Sequence, residues 1–462
     1  MTRRNFVKSA GALAAMGSLP LESFGLSMPP ALKTIRVSRT DSNFEREKLV
    51  RPFGFKGGYL TELWQAISHL ESESGHKGTG LATQSVLYAD PGLFAAHSEA
   101  GGNALSYALT EKALQLVRQT PFTTPVTLLD EILPEVIRMG KTMTGKADLN
   151  PLFVYIALVS LDNAAWLLYA RENNFKSFDA MVPQPYRKAL SARNDKIAIM
   201  YQVPYGMPME DLKTAARQGY FVFKIKTGEP GTQAEMLQKD MNRLTLIHQT
   251  LKGMQTSHTK SGKLIYTLDP NARYERKETF MRYLDHAKKI GALEHILFVE
   301  EPLPERNEEN VSDIGIPVAA DESVHDEATA LRRLEQGYGA LVLKGIAKTL
   351  SFSMKVARLA QERNIPCLCA DLTVNPILVD WHKNLAARIT PFPGIGMGLM
   401  ETNGDMNYRN WNTMMGYHPA AGASWTRARQ GAFRLGEDFY RQSGGILETP
   451  AHYRQLLQAP VS

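Results

Sequence analysis

The chain has 462 residues, enough for two or three structural units and a large buried core. Hydrophobic residues make up 44% and charged residues 22%, an ordinary globular balance. The net charge is +6, but the Lys and Arg residues are scattered and form no basic block, which argues against nucleic acid as a partner. The two cysteines, Cys367 and Cys369, sit two apart. On a strand they share a face yet lie too far apart for an easy disulfide, so they read as buried thiols. They supply no zinc framework, and H-E-x-x-H, P-loop and G-x-S-x-G motifs are missing.

The chain opens Thr2-Arg3-Arg4-Asn5-Phe6-Val7-Lys8, followed by a weakly apolar run from Ala10 to Leu19. That run is too short to span a bilayer. A charged start before a short apolar stretch is the signal-peptide pattern. The paired arginines, with Phe two positions later, resemble a twin-arginine export signal. A basic first helix of a cytoplasmic protein is the competing reading, and Gly11 and Gly17 disfavour it. The expectation is a signal over residues 1–28, the twin-arginine machinery as a partner, and a mature protein in the periplasm or otherwise exported. No later segment reads as long and apolar enough to cross a membrane.

Residues 32–90 mix strand-like and loop-like stretches, with a strand expected at Thr34–Arg39 and a helix at Leu60–Leu70. From Asn103 to Arg171 helical periodicity dominates, as in Leu105, Leu109 and Leu116 and again from Leu152 to Leu168. This half, residues 29–190, reads as α+β. From about Lys196 the rhythm changes. Short apolar runs (197–203, 221–225, 264–268, 296–299, 316–320, 340–343 and 365–370) alternate with amphipathic stretches (209–218, 232–250, 277–290, 328–336 and 350–363). Repeated strand–helix units with apolar strands imply a parallel sheet buried on both faces, and seven or eight units suit a closed barrel better than a doubly wound sheet. The barrel is expected over 191–400. Residues 401–462 lack the rhythm and are expected to return to the N-terminal domain.

Charged residues end the apolar runs. The second ends Lys224-Ile225-Lys226, the third Asp269-Pro270-Asn271, the fourth Glu300-Glu301-Pro302, the fifth Asp321-Glu322-Ser323 and the sixth Lys344. Alone, each has a plain explanation: a turn, a helix N-cap, a strand exit or a lysine reaching for solvent. In a barrel, however, all these ends face one mouth, where the active site sits. Charges gathered there are costly unless paired or bound to a metal. Carboxylates without His or Cys describe a hard-cation site, most naturally Mg²⁺ with Mn²⁺ as the alternative. Lys224 and Lys226 share a face and, beside a metal, are expected to depress each other's pKa, which suits a lysine acting as general base. Lys344, four strands away, would face the substrate from the other side, an arrangement for inverting a stereocentre.

Together these residues resemble the enolase superfamily, in particular its muconate-lactonising-enzyme-like subgroup. The K-x-K, D-x-N, E-x-P and D-E-S motifs and the later lysine fall in the family's order. The resemblance implies a modified (β/α)7β TIM-type barrel with an α+β capping domain. It implies Asp269, Glu300 and Asp321 as metal ligands, with Asn271 and Glu322 beside them and Glu301 the lesser candidate. It implies Lys226 and Lys344 as the acid/base pair, with Lys224 tuning Lys226 and stabilising an enediolate. Arg51-Pro52-Phe53-Gly54-Phe55 looks like the capping loop that closes over substrate. Substrate contacts are expected from Phe53, Phe55 and Tyr59, and from Asp371 and Glu401 at the seventh and eighth strand ends. The seventh strand ends Leu368-Cys369-Ala370-Asp371-Leu372 without the His base of the mandelate-racemase-like branch.

Two departures are visible. The eighth-strand region, Gly396 to Asp405, lacks the D-x-D that holds the substrate ammonium in dipeptide epimerases, and Gly75–Gly102 is long and polar for a compact cap. The expected partner is a small-molecule carboxylate, with a homo-oligomer left open. The expected reaction is abstraction of the proton α to a carboxylate, as a racemase or epimerase. A lyase (dehydratase) or cycloisomerase shares that half-reaction, and a non-catalytic exported binding protein is the reading of a different class.

Overall fold

The structure is a computed structural model that describes residues 32–458, so the expected export signal at 1–28 lies outside the described residues. The described part begins with three antiparallel strands, β1 (Val37–Phe55), β2 (Gly58–Ser72) and β3 (Lys77–Gln84), in the order β1-β2-β3. Lys56 and Gly57 join the first two at φ 49° and 75°, the left-handed pair of a type I′ hairpin. The helix expected at Leu60–Leu70 is therefore corrected to the interior of β2. Residues 63–68 are all buried, because β2 is the central strand and is covered on both faces. A strand buried on both faces loses its alternation, and Leu60, Leu63, Ile67 and Leu70 then imitate a helical stripe.

Three long helices follow, Pro91–Val117, Pro125–Thr144 and Pro151–Glu172. Each starts with proline behind a capping side chain, Asp90, Thr124 or Asn150. Pro151–Glu172 has the length and composition of a membrane span, contrary to the expectation from sequence. Its most apolar window is nevertheless wholly buried inside the protein, as a core helix. It lies directly on β3. A Cβ on Gly80 would come 2.2 Å from Ala164 N and from Ser160 O, and one on Gly78 would come 2.1 Å from Ala164 O. Those glycines let helix and strand backbones touch.

The apolar runs become β4 (Lys196–Val203), β5 (Val222–Lys226), β6 (Ile265–Asp269), β7 (Ile296–Glu300), β8 (Val318–Ala320), β9 (Ala340–Leu343), β10 (Cys367–Cys369) and β11 (Gly398–Glu401). They are parallel, each beside the next, and Gly398 to Glu401 pair with Ile197 to Met200 to close the barrel. Helices Met209–Arg217, Gln233–Leu251, Lys277–Lys289, Glu327–Glu335, Leu350–Glu362 and Pro376–Ala386 occupy the connections. The connection over 301–317 carries no helix; Pro302, Pro304 and Pro317 disfavour one. This is the modified TIM-type barrel with an N-terminal α+β cap. Cys367 and Cys369 are buried free thiols.

A final strand, β12 (Ala432–Arg434), lies antiparallel on β4. The segment after β11 also meets the N-terminal sheet. Gln65 of β2 donates to Tyr408 Oη at 2.8 Å, Tyr408 donates to Thr373 O at 2.6 Å, and Asn375 donates to Gln65 Oε1 at 3.0 Å. One buried glutamine thus ties the cap, the loop after β10 and the C-terminal segment together.

Candidate active site

Lys224 and Lys226 stand two apart on β5 and therefore point the same way, into the barrel mouth. Lys224 Nζ lies 2.9 Å from Glu300, 2.9 Å from Glu401 and 3.0 Å from Asp269. Lys226 Nζ donates to Asp269 Oδ2 at 2.5 Å and to Asn271 Oδ1 at 3.0 Å. Across the barrel, Lys344 follows β9 and is paired with Asp321. Three strands separate β5 from β9 in either direction, so the two candidate bases face each other across the mouth. Asn271 donates to Glu322 Oε1 at 2.9 Å, so the two residues expected beside the metal ligands are joined.

Sequence reasoning missed Lys348, Lys56 and Tyr88. Lys348 Nζ lies 2.9 Å from Asp321 Oδ1 and donates to Val324 O at 3.0 Å. Its signal was available in the four-residue spacing from Lys344, one turn along the loop. Lys56, at the tip of the β1–β2 hairpin, donates to Tyr88 O at 2.8 Å and pairs with Glu322 at 3.3 Å. The Lys-Gly-Gly turn signal marked that tip. Tyr88, in the short helix Val86–Ala89, had no sequence signal. Its ring faces the ammoniums of Lys344 at 4.5 Å and Lys56 at 4.9 Å, and its buried hydroxyl has no hydrogen-bond partner among the described residues. Glu301, at φ 41°, points away from the mouth: its Oε2 accepts from Asp321 N at 2.8 Å and from Ser323 Oγ at 2.9 Å, shaping the turn that presents Asp321.

One cavity is lined by Lys224, Lys226, Lys344, Phe53, Phe55 and Tyr88, together with Asp371 and Glu401. Of the expected substrate contacts, Tyr59 is not among its walls. It is 52% exposed, because alternation along β2 turns it outward and Leu60 inward. Phe53 and Phe55 belong to β1 and its hairpin rather than to a free loop.

The mouth is densely charged and its side chains are almost wholly buried. Lys56, Lys224, Lys226, Lys344 and Lys348 are gathered with Asp269, Glu300, Asp321, Glu322, Asp371 and Glu401, one more carboxyl group than ammoniums. Burial and the neighbouring Asp269 and Asp321 push Glu300 far above the usual carboxylate range. Burial, opposed and outweighed by Lys224 and Lys226, leaves Asp269 held down at about 2. Asp321 is held low in the same way by Lys344 and Lys348. The expected mutual depression of the lysines is corrected for Lys224. Burial pushes it down, but Asp269, Glu300 and Glu401 together hold it well above the lysine range. Lys344 is held high likewise, chiefly by Asp321. The physical reason is that three carboxylates lie closer to Lys224 than its fellow ammonium can offset.

Among the described residues no ready-made cluster of His, Cys, Asp and Glu surrounds a metal position, since lysines stand between the carboxylates. The donor set nevertheless fits a hard dication. Asp269, Glu300 and Asp321 offer only carboxylate oxygens on three neighbouring strand ends. Glu300 Oε2 and Asp321 Oδ1 are buried and accept no hydrogen bond, although an ammonium lies 2.9 Å from each, off the bonding direction.

Residues 209–396 match the family described as "Enolase C-terminal domain-like". A search of curated protein sequences finds no match. Solved structures do share the fold. An N-succinyl Arg/Lys racemase from Bacillus cereus has a TM-score of 0.62 at 13% identity, covering 92% of this chain and 97% of its own. A mandelate racemase/muconate lactonizing protein from Herpetosiphon aurantiacus has 0.61 at 16% identity, covering 87% and 96%. A dipeptide epimerase from Enterococcus faecalis, complexed with Mg and the dipeptide L-Leu-L-Tyr, has 0.60 at 16% identity, covering 88% and 98%. Most of the barrel thus matches an enolase C-terminal domain-like family, and the chain shares its fold, barrel and cap together, with these structures.

Asp371 generates a stability prediction. Burial, with Glu401 beside it, pushes its carboxyl up to about 7. A folded-state value above the unfolded one means the native state binds the extra proton, so this group's contribution to stability falls as pH rises from about 4 to 7. Asp371→Asn should therefore be more stable than the parent at pH 8, by up to about 1.4 kcal/mol for each unit between the two values. The difference should vanish near pH 4. Urea unfolding across that range measures it, and a pH-independent difference would contradict the assignment.

Proposed function

We propose that this chain is a metal-dependent racemase or epimerase of the enolase superfamily, which removes the proton α to a substrate carboxylate. The observation that carries this reading is the pair of buried lysines, Lys226 and Lys344, on opposite strands of one cavity. Asp269, Glu300 and Asp321 would hold a hard divalent cation, Mg²⁺ or Mn²⁺, which supplies stabilisation of the charge that develops on the substrate carboxylate. The unbonded buried oxygens Glu300 Oε2 and Asp321 Oδ1 support that assignment, as does the Mg named with the Enterococcus faecalis epimerase.

The chain's own residues do the rest. Lys226 and Lys344 each remove the proton from one face of the carbon in one direction and return it in the other. Lys224 keeps a fixed positive charge between Asp269, Glu300 and Glu401, and so orders the carboxylates. Phe53, Phe55 and Tyr88 cover the lysines and exclude water from them. Asp371 and Glu401 stand at the ends of β10 and β11, across the barrel from Asp269 and Glu300, and would face the part of the substrate away from the cation. A lyase or cycloisomerase would use the same first step and then expel a leaving group.

Incubating a panel of chiral carboxylates with the enzyme and Mg²⁺ in D₂O tests the reading. Exchange with inversion is the expected result. Lys226→Ala should stop exchange from one stereoisomer while sparing its mirror image, and Lys344→Ala should do the reverse. Turnover undiminished in Lys344→Ala would overturn the two-base reading. Loss of a leaving group would assign the lyase, and binding without exchange would assign a binding protein.

We also propose export through the twin-arginine route, on the Arg3-Arg4 pair and the apolar run behind it. Changing both arginines to lysine should trap the protein in the cytoplasm. Fractionation that finds the double variant exported equally would rule the route out.

A further inference from the structure

Asp162 is a buried charge that the proposed chemistry does not use. It sits in the middle of the apolar helix Pro151–Glu172 and is 3% exposed. Its Oδ2 accepts from the amides of Leu350 at 2.9 Å and Ser351 at 3.2 Å, and its Oδ1 accepts from the Ser351 hydroxyl. Ser351 Oγ in turn accepts from Trp166 Nε1 at 3.0 Å, one turn along the same helix. The two amides open helix Leu350–Glu362, where free N–H groups and the helix dipole favour a negative charge.

Ordinary capping is already provided there, because Thr349 Oγ1 accepts from Phe352 N at 3.2 Å. Asp162 is therefore an additional tie, reaching from the cap region to the barrel. What it ties down is the loop from Lys344 to Thr349. Lys344 and Lys348 at its two ends both grip Asp321. Thr349 is held at φ 71°, a left-handed conformation that a β-branched residue rarely adopts and that its surroundings must enforce. The same helix also reaches the opposing loop: Tyr155 Oη donates to His325 O at 2.7 Å, four residues past Asp321. One rigid helix thus braces both the Asp321 turn and the Lys344 loop. Burial pushes the Asp162 carboxyl up to about 7, so keeping an acid here is costly to the fold.

We propose that Asp162 is a positioning residue, which fixes the Lys344–Thr349 loop and so sets Lys344 at its face of the substrate. The inference rests on the two-base reading above. It differs from a purely structural tie in its consequences. Misplacing Lys344 raises the barrier on one face only. Equilibrium requires net racemisation to fall equally in both directions, but isotope exchange from each stereoisomer reports its own base.

The test uses the full chain with Mg²⁺ in D₂O, and the isosteric Asp162→Asn. Exchange from the Lys344-dependent stereoisomer should slow about 10- to 100-fold, the scale of small misplacements of reacting groups. Exchange from the Lys226-dependent stereoisomer should stay near the parent rate, which also certifies the fold. Ser351→Ala leaves Asp162 on its two amides and should give a smaller effect of the same sense. Amide hydrogen exchange by mass spectrometry should quicken over residues 344–353 in Asp162→Asn and stay unchanged over 222–226. Equal loss from both stereoisomers, no loss from either, or unchanged amide exchange over 344–353 would each overturn the inference. If Lys344→Ala itself fails to give one-sided exchange, the two-base reading is what fails, and the amide exchange then decides the loop assignment by itself.

Discussion

Everything at this barrel mouth depends on keeping opposite charges together among side chains shielded from solvent. Asp269, Glu300 and Asp321 are fully buried, and isolated carboxylates cannot remain ionised in such a place without partners. The partners are lysines supplied by strands on the two sides of the barrel. Lys224 alone meets three carboxylates. A site in which every ammonium is anchored to a carboxylate has little freedom to rearrange, so the positions of the two candidate bases are set before a substrate arrives. Preorganisation of this kind is what transition-state stabilisation needs.

The barrel does not complete the site by itself. Phe53, Phe55 and Lys56 come from the β1–β2 hairpin and Tyr88 from the short helix after β3. An arc of contacts runs from Lys344 to the Tyr88 ring, to Lys56, to Glu322, to Asn271 and back to Lys226. It joins the two candidate bases over the top of the cavity and passes through the cap. Gln65, Tyr155 and Asp162 add ties at the back of the site. The cap therefore contributes part of the cavity wall and ties to the loops that follow β8 and β9.

Much of this was legible in the sequence, for a physical reason. Parallel barrel strands are apolar on both faces and end in charge, so Phe223-Lys224-Ile225-Lys226 and Leu268-Asp269 announce both the strand and its mouth. The helices between them kept their amphipathic period and were located within a residue or two at most ends, as at Lys277–Lys289. The failures share a cause as well. Leu60–Leu70 read as a helix because its strand is buried on both faces, although the Lys-Gly-Gly turn before it marked a hairpin. Tyr59 and Leu60 could be told apart only once the strand's phase was known. Tyr88 and Asp162 act across distances in the chain that no local pattern records: Asp162 meets Ser351 across 189 residues. The Lys224 expectation differs from the structure because it counted the neighbouring ammonium and not the carboxylates that only the fold brings close.

The central claim is that Asp269, Glu300 and Asp321, buried on three neighbouring strand ends, form a hard-cation site. Calorimetric titration of Mg²⁺ into the purified protein tests it most directly, with Asp269→Asn, Glu300→Gln and Asp321→Asn measured beside the parent. The account predicts saturable binding of one Mg²⁺ by the parent and affinity at least about tenfold weaker in each variant, since each removes one charge from a site that holds its ion by charge. Unchanged affinity in all three variants would contradict it.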